Sequence, residues 1–309
     1  MQRSSAWWIV GIAVLVLAAV IGFVLVSNRG SGGDEPLRGA ASGAAASVSV
    51  SVVGELLEQR WTVLFVGTDH NAAREATGDP INADSILLAS LSADQSVLTL
   101  VSLPRDTVDV PLPDGGTYDG KVNELYREQG IEAMWAAMET LFDVPIDAHV
   151  VLDMDDVEAL VEAAGGVDVD PPAPLADPIV SLDLDAGPQE LDAATAMGYV
   201  RTRVDQDYGR MRRQQEVIVS LVDRLTDPDA GVNVRPLIDG LESFETDLPL
   251  AQLETLLELA RRGAGAEVAN LIIEPPLITF EGDRNDGRGY VLEADIDAIR
   301  VEVQSLIGD

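Results

Sequence analysis

From Trp61 onward the chain alternates two hydrophobic periods, and this alternation limits the possible folds more than any other feature. WTVLFVG (Trp61 to Gly67), SILLASLS (Ser85 to Ser92) and SVLTLVSL (Ser96 to Leu103) are short, β-branched and apolar, as strands are. The last two are separated only by Ala93-Asp94-Gln95, which predicts a hairpin at the centre of a sheet. Helical spacing is expected over Ile131 to Phe142, over Asp156 to Ala164 before Gly165-Gly166, and over Gln189 to Tyr199, with AHVVLD (Ala148 to Asp153) as a strand among them. Further helices are expected from Arg210, near Val234 to Leu241, over Asp247 to Arg262 with Thr246 or Asp247 as cap, and over Asp295 to Leu306, with ANLIIE and GYVLE as closing strands. This is the pattern of an α/β sandwich. No linker sets the closing strands apart, so Val52 to Asp309 reads as one domain.

Ahead of that domain, Ala6 to Val26 is uncharged and almost wholly apolar, opening on Trp7 and Trp8. At about 1.5 Å per residue it reaches the ~30 Å of a bilayer core, which predicts a transmembrane helix. A cleaved signal peptide is the alternative, against which the run exceeds the usual apolar region of about 7 to 15 residues and no small-x-small site follows directly. The amino terminus and Arg3 on one side and Arg29 and Arg38 on the other nearly balance the positive-inside rule. Ser27 to Ser51, rich in Gly, Ala and Ser, reads as a flexible tether.

The chain carries 20 basic and 53 acidic residues, a net charge of -33, which argues against nucleic acid and against attachment to anionic lipid through basic residues. It has no cysteine and only two histidines, His70 and His149, so a bound metal would be a hard cation held by oxygens.

Against this acidic background, five arginines crowd into RTRVDQDYGRMRRQQ: Arg201, Arg203, Arg210, Arg212 and Arg213. The apolar positions Met211, Ile218, Leu221, Val222 and Leu225 place the start of a helix near Arg210, where the helix dipole is already positive. Local chemistry that opposes local structure points to function: guanidinium forks beside free N–H groups form a receptor for phosphate or pyrophosphate. Arg201 and Arg203 are expected on one face of an extended segment, and Arg210, Arg213 and Gln214 on one face of the helix. Arg212 falls off that face and reads as a solvated charge. The competing account of the other four is pairing with Asp205 or Asp207, although exposed pairs contribute only ~0–1 kcal/mol.

Three loops at strand ends carry the remaining chemistry. Asp69 in GTDHNA and Asp84 in the Asn82-Ala83-Asp84-Ser85 turn could share a magnesium ion, which takes one or two carboxylates plus water and phosphate oxygens; either could equally be a turn or cap residue. Arg105 and Asp106 in SLPRDT follow a proline that stops a strand, and could be a local surface pair. Lys121, in DGKVNELY, is the only lysine in the chain.

The succession GTD, ADS, SLPRD, KVNELY, GGVDVDPP, AMGYVRTR and DYGRMRRQQ resembles, in order and spacing, the LytR-CpsA-Psr family of membrane-anchored cell-envelope enzymes, over about Trp61 to Leu225. The resemblance implies an αβα sandwich with a central mixed sheet, enclosing an apolar tunnel for a polyprenyl chain whose pyrophosphate sits at an arginine-rich mouth. It implies transfer of a glycopolymer phosphate from a polyprenyl pyrophosphate carrier to a peptidoglycan hydroxyl, aided by Mg2+, outside the cell membrane on a single-pass anchor with a five-residue cytoplasmic tail. Carried over, Asp69 and Asp84 are metal ligands; Arg105, Lys121, Arg201, Arg203, Arg210, Arg213 and Gln214 bind pyrophosphate; Arg105, Arg201 and Asp106 act in catalysis. A general base would be Asp106 or Asp207, unless the metal lowers the hydroxyl pKa. The family often has arginine where this chain has Ala83. The alternatives are a non-catalytic receptor for lipid pyrophosphates or anionic wall polymers, which that gap favours, and a polyprenyl pyrophosphatase.

Overall fold

A computed structural model describes residues 57–70, 77, 80–226, 245–247, 259 and 266–308. The expected anchor, the tether and the helix near Val234 to Leu241 lie outside the described residues, as does Asp247 to Arg262 apart from Asp247 and Leu259. Among the described residues no helix is long and apolar enough to cross a membrane.

In chain order the elements are β1 (Trp61–Thr68), β2 (Ala83–Leu91), β3 (Val97–Leu103), β4 (Val110–Pro111), β5 (Thr117–Tyr118), α1 (Val122–Phe142), β6 (Ala148–Leu152), α2 (Met154–Ala163) and β7 (Val167–Val169). They continue with β8 (Leu175–Asp177), β9 (Leu182–Leu184), β10 (Gln189–Leu191), α3 (Ala193–Arg201), α4 (Gln206–Thr226), β11 (Glu245–Thr246), β12 (Glu267–Ile272), β13 (Ile278–Asp283), β14 (Tyr290–Ala294) and α5 (Ile296–Ile307).

Six strands form a mixed sheet in the order β11-β6-β1-β2-β3-β12. The expected hairpin is its centre, with β1, β2 and β3 paired antiparallel in succession, while β6 joins β1 and β12 joins β3 in parallel. It follows that β1, β3, β6 and β12 all end at one rim, and β2 begins there. Side chains alternate across the sheet with the period of two that a strand imposes. Trp61, Val63 and Phe65 pack against α2, α3 and α4 in one core. Leu64 and Val66 pack against α1 and α5 in the other. The result is a helix–sheet–helix sandwich.

Three expectations change. Gln189–Leu191 is a strand paired with β7, so the third helix starts only at Ala193, where Asp192 caps it by accepting from Thr195 N at 2.8 Å. The helix expected from Ile131 extends back to Val122 across a kink at Gly130, whose φ of 80° suits glycine. The arginine helix begins at Gln206 rather than Arg210, and Arg201 closes α3 instead of lying in an extended segment.

Candidate functional site: an apolar cavity with a cationic mouth

Between the sheet and α2, α3 and α4 lies a cavity of about 440 Å³. Its walls are apolar: Phe65 and Leu87 from the sheet, Leu160 from α2, Val200 from α3, and Val217 and Leu221 from α4. Its mouth opens at the rim where β1 ends and β2 begins, and carries Asp69, Asp84, Ser85, Arg201, Arg203, Arg210 and Gln214. Arg210, Gln214, Val217, Ile218 and Leu221 reach the cavity because positions three and four apart share a helix face, so one helix supplies cations at the mouth and hydrocarbon inside.

The mouth residues differ in what already holds them. Asp84 sits among cations: its carboxylate accepts from Arg105 Nη1 and, at 3.5 Å, from Arg203 Nη2, while its main-chain oxygen accepts from Arg210 Nη1 at 2.9 Å. Asp207 engages Arg210 through both oxygens, at 2.8 and 3.1 Å. Gln214 Oε1 accepts from Ser85 Oγ at 3.1 Å. Asp69 accepts from Asn82 N at 2.8 Å, closing the loop between β1 and β2. Arg201 is exposed and has no ion pair or hydrogen bond among the described residues, in a chain of charge -33.

Cation density exceeds what these carboxylates balance. Burial, then Arg210 and Arg105, hold Arg203 below the ordinary arginine value, and Asp207 and Asp84 offset only part of this. For Arg105 the balance is reversed: burial lowers its pKa, but Asp84 and Asp106 raise it further, leaving it above the usual value. Its Nε is nonetheless buried without a hydrogen-bond partner. Arg203 reaches its carboxylates, Asp84 and Asp207, only at 3.5 Å, so an anion at the mouth would add counter-charge to it and to Arg201.

The remaining sequence candidates separate here. Lys121 pairs with Asp106 at 3.1 Å, and that carboxylate also lies 3.8 Å from Arg105 Nε, so Arg105, Asp106 and Lys121 form one cluster outside the cavity lining. Arg213 is not in the lining. It is buried and donates to Tyr199 O at 2.9 Å, Thr202 O at 2.5 Å and both oxygens of Asp205 at 2.7 and 2.8 Å, tying the end of α3 to α4. The expected shared face fails because Arg213 sits one position short of Gln214 around the helix. Arg212 pairs with Glu274 and is half exposed, a surface charge as expected. Ala83 is wholly buried in the core on the α1 side of the sheet. The place where arginine was expected therefore does not face the mouth: the β1–β2 pairing shifts register between Gly67 and Thr68, opposite Ser85 and Ala83, and this bulge at Asp84 turns Ala83 away from the cavity that Asp84, Ser85 and Leu87 line.

A model of the LytR_cpsA_psr family matches residues 37–302. The chain belongs to the LytR_cpsA_psr family. Among its relatives, the probable cell wall biosynthesis protein LcpB of Corynebacterium glutamicum is 34% identical over 54% of this chain and 40% of its own length. TagV of Bacillus subtilis, a polyisoprenyl-teichoic acid–peptidoglycan teichoic acid transferase, is 24% identical over 78% of this chain and 63% of its own. These LytR_cpsA_psr relatives are thus matched over less than two thirds of their length. A solved structure titled TagT bound to LIIa-WTA has the same fold, with a TM-score of 0.63 at 20% identity over 82% of this chain and 93% of that one.

Sequence reasoning missed the partners that shape the mouth. Ser85 reads as the turn residue that opens a strand, with nothing to mark it as a partner of Gln214, and the fixing of Thr202 Oγ1 by Asp177 at 2.7 Å has no local signal, since 25 residues separate them.

Proposed function

We propose that the chain transfers a glycopolymer phosphate from a polyprenyl pyrophosphate carrier to a peptidoglycan hydroxyl. The observation that carries this reading is the joining of an apolar cavity to a cationic mouth in which Arg201 has no partner among the described residues and Arg203 reaches Asp84 and Asp207 only at 3.5 Å. A lipid tail suits the cavity and a pyrophosphate suits the mouth. The transferase name of TagV supports the same reaction class. A receptor that merely binds has lost its sequence support, because Ala83 is not a mouth position.

In the reaction the acceptor oxygen bonds to the phosphorus that carries the glycopolymer, the bridging P–O bond breaks, and polyprenyl phosphate leaves with the bridging oxygen. Such transfer needs positioning and charge stabilisation more than covalent chemistry from the protein. Arg105, Arg201, Arg203 and Arg210 would bear the developing charge, with Gln214 oriented by Ser85. Arg213 holds the backbone that presents Arg201 and Arg203, which makes it a positioning residue. Asp106 is the better proton acceptor. Both oxygens of Asp207 are occupied by Arg210, whereas among the described residues Asp106 Oδ2 has only the 3.8 Å approach of Arg105.

Asp69 and Asp84 suit Mg2+: both line the cavity mouth, both offer hard oxygen, and a pair of carboxylates completed by phosphate oxygens and water is this ion's usual requirement. When bound, Mg2+ would neutralise charge on the phosphate oxygens. An anchor at Ala6 to Val26 would hold the domain outside the membrane that carries its lipid-linked donor, raising their effective concentration.

The test is transfer itself. The purified chain is incubated with a polyprenyl pyrophosphoryl saccharide, Mg2+ and a peptidoglycan oligosaccharide, and products are read by mass spectrometry. A phosphate-linked saccharide–peptidoglycan product, abolished by a chelator, is expected. Release of free saccharide phosphate with no adduct would replace transferase by pyrophosphatase.

A further inference from the structure

On the side of the mouth away from the cavity, two tyrosines share one carboxylate. Tyr208, in the first turn of α4, donates to Glu281 Oε1, and Tyr290, which opens β14, donates to Glu281 Oε2 at 3.3 Å. Tyr290 is 53% exposed, one of four large hydrophobic side chains so exposed among the described residues. Their place is fixed relative to the reacting groups. Tyr208 follows Asp207, the partner of Arg210. The loop of Arg105 and Asp106 is stitched to β14: Leu292 N donates to Asp106 O at 3.0 Å, and Val108 N donates to Leu292 O at 3.0 Å. Asp106 and Asp207 are close enough to raise the Tyr290 hydroxyl, after burial and Glu281.

We infer that Tyr290, with Tyr208 and Glu281, forms a subsite for a pyranose ring of the acceptor glycan, stacked on the exposed tyrosine face with its hydroxyls toward Glu281 and Asp106. Three features converge on it. An exposed aromatic ring with a fixed carboxylate beside it offers both an apolar face and a hydroxyl acceptor, the combination a sugar presents in complement. In-line displacement places the incoming oxygen opposite the leaving one. With the lipid phosphate leaving toward the apolar cavity, the acceptor approaches from the other side, where Asp106 and Tyr290 stand. Asp106 then lies between the stacked sugar and the mouth, as a group receiving the hydroxyl proton must.

This inference rests on the proposed transferase reading, and its test separates the two. Binding of a peptidoglycan oligosaccharide, of a polyprenyl pyrophosphate and of its saccharide-linked form is measured for the full chain and for Tyr290→Ala, Tyr290→Phe and Glu281→Gln. Because Tyr290 is half exposed, its replacement leaves the fold standing, which circular dichroism verifies. Tyr290→Ala is expected to weaken oligosaccharide binding at least about ten-fold, and to raise the acceptor KM with kcat and both donor affinities little changed. Tyr290→Phe, which keeps the ring, is expected to stay within about three-fold of the parent. Equal oligosaccharide affinity in the parent and Tyr290→Ala overturns the subsite. Loss confined to the saccharide-linked donor overturns its assignment to the acceptor. Failure of the parent to bind any polyprenyl pyrophosphate defeats the transferase reading, while the oligosaccharide measurement still decides the subsite.

Discussion

Arg201, the last residue of α3, and Arg213, two turns into α4, are used in opposite ways. Arg201 lines the mouth with no partner among the described residues, whereas Arg213 spends its donors on Tyr199, Thr202 and Asp205. Arg201→Ala should therefore leave the melting temperature unchanged but remove about 3 kcal/mol or more of transition-state stabilisation, a rate loss of at least about 100-fold in the transfer assay. Arg213→Ala should do the reverse first, costing about 2 kcal/mol or more in denaturant unfolding, because buried carbonyls lose their donor. Ala83→Arg should not restore a phosphate contact; it would drive a charge into a fully buried position, and soluble expression should fall sharply. The sequence made the excess of arginine visible but not its division of labour. Arg210, Arg213 and Gln214 satisfy the same spacing rule, but Arg213 lies on the edge of that face turned toward Tyr199, Thr202 and Asp205, and the spacing alone does not say which edge meets the cavity.

Among the elements, the long strands were legible because β-branched runs bounded by turn residues leave few other choices. The two- and three-residue strands β4, β5 and β7 to β10 are too short to show a period, and Gln189–Leu191 was absorbed into the following helix for that reason. The turn between β2 and β3 makes a separate test possible. Asp94 accepts from Ser92 Oγ at 2.7 Å and from Ser96 N and Oγ at 3.0 and 2.7 Å. The hydrogen bonds from Ser96 and Ser92 lower its pKa from 3.8 to about 2. A lowered carboxylate stabilises the fold fully above its unfolded value and loses that contribution as pH falls toward the folded one. Unfolding free energies of the parent and Asp94→Asn, compared at about pH 6 and about pH 3, should therefore differ more at the higher pH.

For the molecule as a whole, topology is what gathers the site. Four strands end at one rim, and the loops leaving β1 and β3 and the start of β2 deliver Asp69, Arg105 and Asp84 there from separate parts of the sequence. Motif order made this, and the apolar cavity behind it, legible through family resemblance; the residues alone showed the cavity only as an apolar face of α4. The net charge of -33 sets the mouth apart as a local cationic site in a repelling field. The most direct measurement of the central claim is the affinity of the parent and Arg201→Ala for a polyprenyl pyrophosphate and for the uncharged polyprenol of the same length, by titration calorimetry. If cavity and mouth form one lipid pyrophosphate site, the substitution weakens the pyrophosphate at least about ten-fold and leaves the polyprenol unchanged. Equal pyrophosphate affinity in the two proteins would contradict it.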